Sequence, residues 1–467
     1  MEFSIILLAA GKGTRMKSSV IKVLHPLAGR PLLAYGLELA RRLEPRRILA
    51  VIGHQADQVR AAFAHEGPEV TWVLQPEQKG TADAVACALP FLDAPEGTVL
   101  IHYGDVPLLR KESLAELLSE HRTQGSRLTF LTARLENPKG YGRMVRDGSG
   151  RLLRIVEEAD ATDEERNLRE INTGITCVEV PFLLEALDRL DANNAKGELY
   201  LTDIAAYGVS RGLRIGSVCT PEPFRALGIN TRKDLAEADR ILRLEICERW
   251  MLEGVSIVEP LQTYIDASVA IGADTRIEPG CHLKGSTRVG NDCLIEAGSV
   301  IADSVIGDGV QVRPYSVIRE SRIGDQVLVG PMAHLRPGTV LESGVRVGNF
   351  VEIKTTRVGE RSKAAHLSYL GDCDIGKDVN VGCGTITCNY DGRAKHRTVI
   401  EDEAFIGSDT QLVAPVTVGR GAYIGSGSTI TRDVPRDALA VSRARQKVVE
   451  GWALTRKTVK NKPGPEG

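Results

Sequence analysis

From residue 271 onward an aliphatic side chain returns nearly every six positions, and this period limits the possible folds more than any other feature of the chain. Ile271, Ile277, Leu283, Val289, Ile295 and Ile301 form the first run. After shorter steps at Ile306 and Ile323, the pattern continues through Val329, Leu335, Leu341, Val347 and Ile353. Its last stretch is Ile400, Ile406, Leu412, Val418, Ile424 and Ile430. Such a period fits neither a helix nor an alternating strand. It predicts a prism-like coil in which each six residues make one flat side and a tight turn. The aliphatic side chains stack inside, and small residues after them let the chain turn. One polar stretch, "TCNYDGRAKHRTV" (387–399), breaks the repeat. It reads either as a tolerated insertion or as a functional loop ejected from the coil.

The first half has a different rhythm. Over residues 1–229 the apolar runs 3–10, 47–53, 70–75, 97–105 and 127–134 alternate with helical patterns at 32–43 and 111–122. This alternation predicts a mostly parallel sheet with helices on its faces. Ligands of such sheets sit beyond the carboxyl ends of the strands. Both "AAGKGT" and "YGDVP" fall at such ends, so they are expected to face one cleft. A linker helix is predicted at 230–250, capped by Thr231 and Asp234, with Leu235, Ala238, Leu242, Ile246 and Trp250 on one side. The β-coil then occupies 251–467, ending in a basic tail.

At 467 residues two or three domains are expected, and a formal net charge of −2 gives no reason to expect a nucleic-acid partner. The nine cysteines are scattered without a C-x-x-C pair and read as reduced thiols. The run 3–10 is too short for a membrane span or a signal core. A cytoplasmic protein without membrane insertion is expected.

Glycines in Gly11-Lys12-Gly13-Thr14-Arg15 leave backbone N–H groups open to phosphate oxygens. Alone, the stretch reads equally as an ordinary strand-to-helix turn. Arg15 and Lys22 either offset the charge of a triphosphate or are solvated surface cations. Asp105, at a strand end, either holds Mg²⁺ or caps a turn. Asn230 is either a turn residue or a second metal ligand.

Together these residues carry a resemblance. L-A-A-G-K-G-T-R-M followed by K-V-L-H resembles the sugar-1-phosphate nucleotidyltransferase signature. "WVLQPEQKGTADA", "YGDVPL", "GYGRMVR", "IVEEADATDEER", "EINTGI" and "GELYLTDI" narrow it further. From about residue 3 to 452 the chain resembles the bifunctional N-acetylglucosamine-1-phosphate uridyltransferase/glucosamine-1-phosphate acetyltransferase family.

The resemblance implies an N-terminal Rossmann-like α/β domain that binds UTP and Mg²⁺, and a left-handed parallel β-helix that packs as a homotrimer with acetyl-CoA between neighbours. In the first domain it implies that Leu8, Ala9, Ala10 and Gly11 form the nucleotide loop and that Lys22 and Arg15 act on the phosphates. Gln75, Gly80 and Thr81 would recognise uracil, while Tyr103 and Gly104 line the cleft. Asp105 and Asn230 would be the Mg²⁺ ligands, and Gly140, Glu157 and Asn172 the pocket for N-acetylglucosamine 1-phosphate. In the second it implies His366 as base, oriented by Glu352. Arg336 and Lys354 would bind the phosphate of glucosamine 1-phosphate, with Tyr369 and Asn380 on the sugar. Asn389, Tyr390, Cys383, Ser408, Ser426 and Arg443 would contact acetyl-CoA. A neutral imidazole suits the removal of a proton from the attacking amine near pH 7.

Four positions depart from the pattern. Ile21 stands where proline usually precedes the lysine, and Asp83 replaces a usual histidine, placing a further carboxylate near the nucleotide. Cys383 and Ser426 replace alanines. Two other functions compete: a uridyltransferase whose β-helix only assembles or regulates, and a non-enzymatic scaffold retaining both folds. "HLSYLGDCDIG" with "TCNYDG" argues against the first, and retention of Arg15, Lys22, Asp105 and Asn230 against the second.

Overall fold

The computed structural model describes residues 2–92 and 97–454. The end of the basic tail expected at the C-terminus lies outside the described residues. The chain divides into two compact units, Met1–Ile246 and Cys247–Gly467.

The first unit is built on a sheet whose strands run in the order Ile215–Cys219, Leu128–Arg134, Glu170–Glu179, Thr98–Tyr103, Phe3–Leu8, Arg47–Ile52 and Val70–Leu74. All neighbours are parallel except Glu170–Glu179, which runs against both of its partners. The five expected strands are all present. Helices Leu32–Arg42 and Lys111–Thr123 bury Leu33, Leu37, Leu114 and Leu117 against one face of the sheet. Helix Thr81–Ala88 packs Val85 and Ala88 against the other. Near-continuous apolar strands such as Ile5–Leu8 are explained by this two-sided cover.

The helix that follows runs over Arg232–Leu252. Asp234 Oδ2 accepts from the backbone N–H groups of Asn230 and Thr231, and Thr231 Oγ1 accepts from the N–H of Asp234. The predicted cap is therefore reciprocal, and it also fixes the backbone of Asn230.

In the second unit the six-residue period becomes three parallel ladders. Ile277, Ile295, Val312, Val329 and Val347 align on one, and Leu283, Ile301, Ile318, Leu335, Ile353 and Leu370 on another. Val289, Ile306, Ile323, Leu341, Val358, Ile375, Ile400 and Val418 align on the third. All these side chains are buried. The glycines after them answer a different need from the one expected. A Cβ on Gly359 would lie 2.5 Å from the carbonyl carbon of Gly376, so glycine is required for coils to approach each other. The left-handed positions of the coil are shared between residues such as Asp274, Asp292 and Gln326 and other glycines such as Gly280, Gly298 and Gly309.

Candidate functional sites

At the carboxyl ends of adjacent strands Phe3–Leu8 and Thr98–Tyr103, the turn after Leu8 meets Gly104. Gly104 N–H donates to the carbonyl of Leu8 at 2.9 Å, and Ala9 N–H to that of Val51 at 2.8 Å. These bonds fix Leu8, Ala9 and Ala10, while Gly11 faces open space. Gly13 adopts φ +60°, and a Cβ there would lie 2.6 Å from Cβ of Lys22. The glycine turn therefore makes room for the lysine stem.

Lys22 Nζ donates to Asp105 Oδ2 and, at 3.2 Å, to Asn230 Oδ1. Arg15 donates to the same Asn230 oxygen at 2.8 Å. The four residues come from positions far apart in the chain and converge on one point. Ile21 has φ −58° and ψ 141°, which a proline would also adopt, and its side chain is buried. Lys22 thus keeps a defined approach without the proline. Ile229 N–H donates to the Asp105 carbonyl at 2.9 Å, tying the two acidic and amide oxygen donors to one backbone contact. The carboxylate of Asp105 and the amide oxygen of Asn230 are hard oxygens of the kind that fit Mg²⁺, an ion that takes few protein ligands and keeps waters.

The residues expected to meet the base and the sugar belong to two further groups in the same unit. Gln75 follows strand Val70–Leu74 and is bonded through its N–H to Ile52. Its amide Nε2 donates to the Gly80 carbonyl at 3.1 Å and to Asp83 Oδ2 at 2.7 Å. Asp83 therefore turns toward Gln75, which answers the concern about a stray carboxylate. Gly80 must be glycine, because a Cβ would lie 2.4 Å from the Leu199 carbonyl. Thr81 Oγ1 accepts from Leu201 N–H at 3.0 Å, so Thr81 anchors the segment 199–201.

Gly174 takes φ +85° against the ring of Tyr103, and its N–H donates to Asn172 Oδ1 at 3.0 Å. Glu157 accepts from Thr202 at 3.2 Å, and burial holds its carboxyl above the usual carboxylate range. Burial likewise raises the Tyr103 phenol, with the Glu157 and Asp105 charges adding to the shift. Gly140 N–H donates to Glu158, which also pairs with the buried Arg143. Tyr141, from the same "GYGR" stretch, was not singled out in the sequence. Burial raises its phenol, with the charges of Asp234 and Asp105 adding to the shift and that of Arg15 opposing it.

The second unit holds its own cluster. Strands Arg346–Lys354 and Lys363–Gly371 pair in parallel, with Asn349 opposite His366, Glu352 opposite Tyr369 and Lys354 opposite Gly371. His366 Nδ1 lies 3.1 Å from Asn349 Oδ1. With the Asn349 oxygen toward the ring, this contact pairs with the tautomer that carries its proton on Nδ1 and its lone pair on Nε2. Glu352, expected to orient the imidazole, instead accepts from Arg336 at 2.7 Å. The guanidinium is the stronger claim on its carboxylate. Asn349 was missed, although its seventeen-residue offset from His366 matches the coil spacing seen in the ladder.

Coil stacking aligns more than this pair. Ala364 lies opposite Val381, Val381 opposite Ile406, and Ile406 opposite Ile424. Two residues onward from each, His366, Cys383, Ser408 and Ser426 therefore occupy equivalent positions on successive coils. Arg443 reaches the same strip by donating to the Ser426 carbonyl at 2.6 Å. Asn380, on the strand before Cys383, opposes Lys363.

The polar loop folds back against Tyr369 and Asp372. Asn389 Nδ2 donates to Asp372 and, at 3.5 Å, to the Tyr369 hydroxyl. A Cβ on Gly371 would strike both Tyr369 and Asn389, so the glycine admits this crossing. Asp391 accepts from the N–H groups of Arg393 and Ala394 and from His396, which depresses its carboxyl and closes the loop. Tyr390 and Lys395 pair across it, with the Tyr390 side chain exposed. Lys354 lies 3.9 Å from Asp372. Its amine is held below the usual lysine range chiefly by the neighbouring Lys395, with burial and Arg336 contributing. Arg336 and Lys395 thus both act on Lys354, and Lys395 is the one the sequence reading missed.

Among the described residues no helix is long and apolar enough to cross a membrane, and all nine cysteines are free. The MobA-like NTP transferase domain model matches residues 5–173. The model of the GMPPB C-terminal domain matches 265–370, and that of the six-repeat bacterial transferase hexapeptide 397–432. The architecture is thus an N-terminal nucleotidyltransferase domain followed by a left-handed parallel β-helix. "Bifunctional protein GlmU" of Pelobacter propionicus is 53% identical over 452 residues, covering 97% of this chain and 98% of that protein. The Geobacter metallireducens protein of the same name is also 53% identical, over 470 residues, with the same coverage. That of a Geobacillus species is 46% identical over 447 residues, covering 96% of each. Similarity of this depth across both units means that the chain belongs to the GlmU family of bifunctional enzymes, with uridyltransferase and acetyltransferase activities in one polypeptide.

Proposed function

We propose that the strip beginning at His366 performs the acetyl transfer and the cleft around Asp105 the uridylyl transfer, in that order. In the first step the amine of glucosamine 1-phosphate attacks the thioester carbonyl of acetyl-CoA. The C–N bond forms, the C–S bond breaks, coenzyme A leaves, and His366 Nε2 takes the amine proton. Arg336, Lys354 and Lys395 neutralise the sugar phosphate. The observation that carries this reading is the alignment of His366 with Cys383, Ser408 and Ser426 on successive coils. Three coil steps span about 14 Å at the usual strand spacing, a length suited to the extended pantetheine arm of the donor.

In the second step a phosphate oxygen of N-acetylglucosamine 1-phosphate attacks the α-phosphorus of UTP, and pyrophosphate leaves. No protein nucleophile is required, because positioning and charge neutralisation carry such transfers. Arg15 and Lys22 meet the phosphate charge, Gln75 faces the base, and Glu157 and Asn172 hold the N-acetylated sugar. Asp105 and Asn230 would hold Mg²⁺, which supplies further neutralisation of the phosphate oxygens when bound. Domain limits of 1–229, 230–250 and 251–467, a homotrimeric assembly and a cytoplasmic location complete the reading.

The test supplies purified protein with glucosamine 1-phosphate, acetyl-CoA, UTP and Mg²⁺, following free thiol and pyrophosphate separately. Release of both, with pyrophosphate dependent on acetyl-CoA, supports the two sites and their order. Pyrophosphate release from supplied N-acetylglucosamine 1-phosphate without any thiol release would reduce the β-helix to an assembly domain.

A further inference from the structure

Gln75 is buried, with 3% of its surface exposed, and its amide has two protons to give. Both are committed inside the protein, one to the Gly80 carbonyl and one to the Asp83 carboxylate. Turning the amide over would set Oε1 against two acceptors, so the assignment of oxygen and nitrogen is fixed by its partners. Asp83 is itself held in the first turn of helix Thr81–Ala88, where a negative charge is favoured. Among the described residues no donor reaches Gln75 Oε1. The side chain therefore shows the nucleotide an acceptor and nothing else.

We infer that Asp83 is a specificity-determining positioning residue, which locks Gln75 as an acceptor-only reader of the base and so selects a pyrimidine with N–H at ring position 3 over one with a lone pair there. Uracil donates from N3 to Gln75 Oε1. Cytosine brings its N3 lone pair against that oxygen, two acceptors face each other, and binding is lost on both sides. Without the Asp83 carboxylate, one amide proton is released and the side chain can turn to offer Nε2 instead. This inference rests on the reading that Gln75 faces the base.

The test measures kcat/KM for pyrophosphate release with UTP and with CTP, using the full-length protein at fixed N-acetylglucosamine 1-phosphate. Asp83→Ala is expected to lower the UTP/CTP preference about tenfold, the worth of one lost discriminating hydrogen bond. The loss should come from a higher KM for UTP together with improved use of CTP. Asp83→Asn, whose Oδ1 still accepts, is expected to restore most of the preference. Thermal unfolding checks the fold of each variant, and Asp83→Leu, which keeps the branched outline of aspartate without its charge, replaces Asp83→Ala if the latter does not fold. Gln75→Leu separates the two levels of the argument. If it changes the preference and the Asp83 variants do not, Gln75 reads the base without help and the inference fails alone. If Gln75→Leu also leaves UTP use and the preference unchanged, Gln75 does not meet the base, and the inference falls together with the reading beneath it.

Discussion

Lys22 and Asp105 form an ion pair at the carboxyl end of the sheet, so the carboxylate that would hold a divalent cation is already matched by an ammonium. Both side chains are mostly buried, which keeps the pair from being dispersed by solvent. On the proposed reading, Asp105 would hold Mg²⁺, and Lys22 would leave this pair to meet the phosphates of UTP. Asp105→Asn keeps the shape but removes the charge that holds the cation. Uridylyl transfer is expected to fall by about 100-fold or more, as for loss of a preorganised charge contact. Acetyl transfer measured on the same preparation should be unaffected. A uridyltransferase rate within a few-fold of the parent would remove Asp105 from the metal site.

On the proposed reading, His366 is to the acetyl step what Asp105 is to the uridylyl step. His366→Ala is expected to cost about 10²–10⁴ in acetyl transfer, the usual range for a general base, and to leave pyrophosphate release intact. Asn349→Ala acts through the imidazole, by freeing the tautomer that Asn349 Oδ1 selects. Its cost should be smaller, about tenfold in kcat with KM for acetyl-CoA little changed. Equal losses in the two variants, or a loss confined to KM, would point to direct substrate contact by Asn349 instead.

The architecture was legible because both periods in the sequence are consequences of burial. Residues such as Ile277 and Leu335 have to face inward on every coil, and Ile5–Leu8 have to be apolar on both faces of a covered sheet. The cap at Thr231 and Asp234 could be read for the same reason, since it is local in sequence. What escaped were partners set by stacking across coils or loops. Asn349 meets His366 only because one coil lies on the next, and Glu352 goes to Arg336 because that guanidinium sits one coil below. Asp83 looked like a misplaced charge until the fold set it 2.7 Å from Gln75.

Lys395 illustrates the same point and yields a further test. It lies on the polar loop, and it is the first cause of the lowered affinity of Lys354 for its proton. Such crowding of like charges is sustained when an anion is expected between them. Lys395→Ala is expected to raise KM for glucosamine 1-phosphate several-fold while leaving KM for acetyl-CoA unchanged, about 1 kcal/mol for one charged contact. A change confined to acetyl-CoA would assign Lys395 to the donor instead.

Asp203 carries a pH dependence whose sign can be worked out. Burial pushes its carboxyl up to about 6, with the charges of Glu157, Asp191 and Asp160 adding to the shift. The folded chain therefore binds this proton more tightly than the unfolded chain does. The stability this contributes is fully present below the unfolded-state value near 3.8 and is lost as pH rises through about 6. Asp203→Asn keeps a neutral group at every pH. Its thermal midpoint for the first unit should exceed that of the parent at about pH 7.5, and the gain should shrink between about pH 6 and 4 until the two converge. Because the side chain is only half-buried, solvent screening limits the gain to a few degrees. A gain that is the same at both ends of this range, or that grows toward acid, would show that the carboxyl is not strained at neutral pH and that the substitution acts by another route.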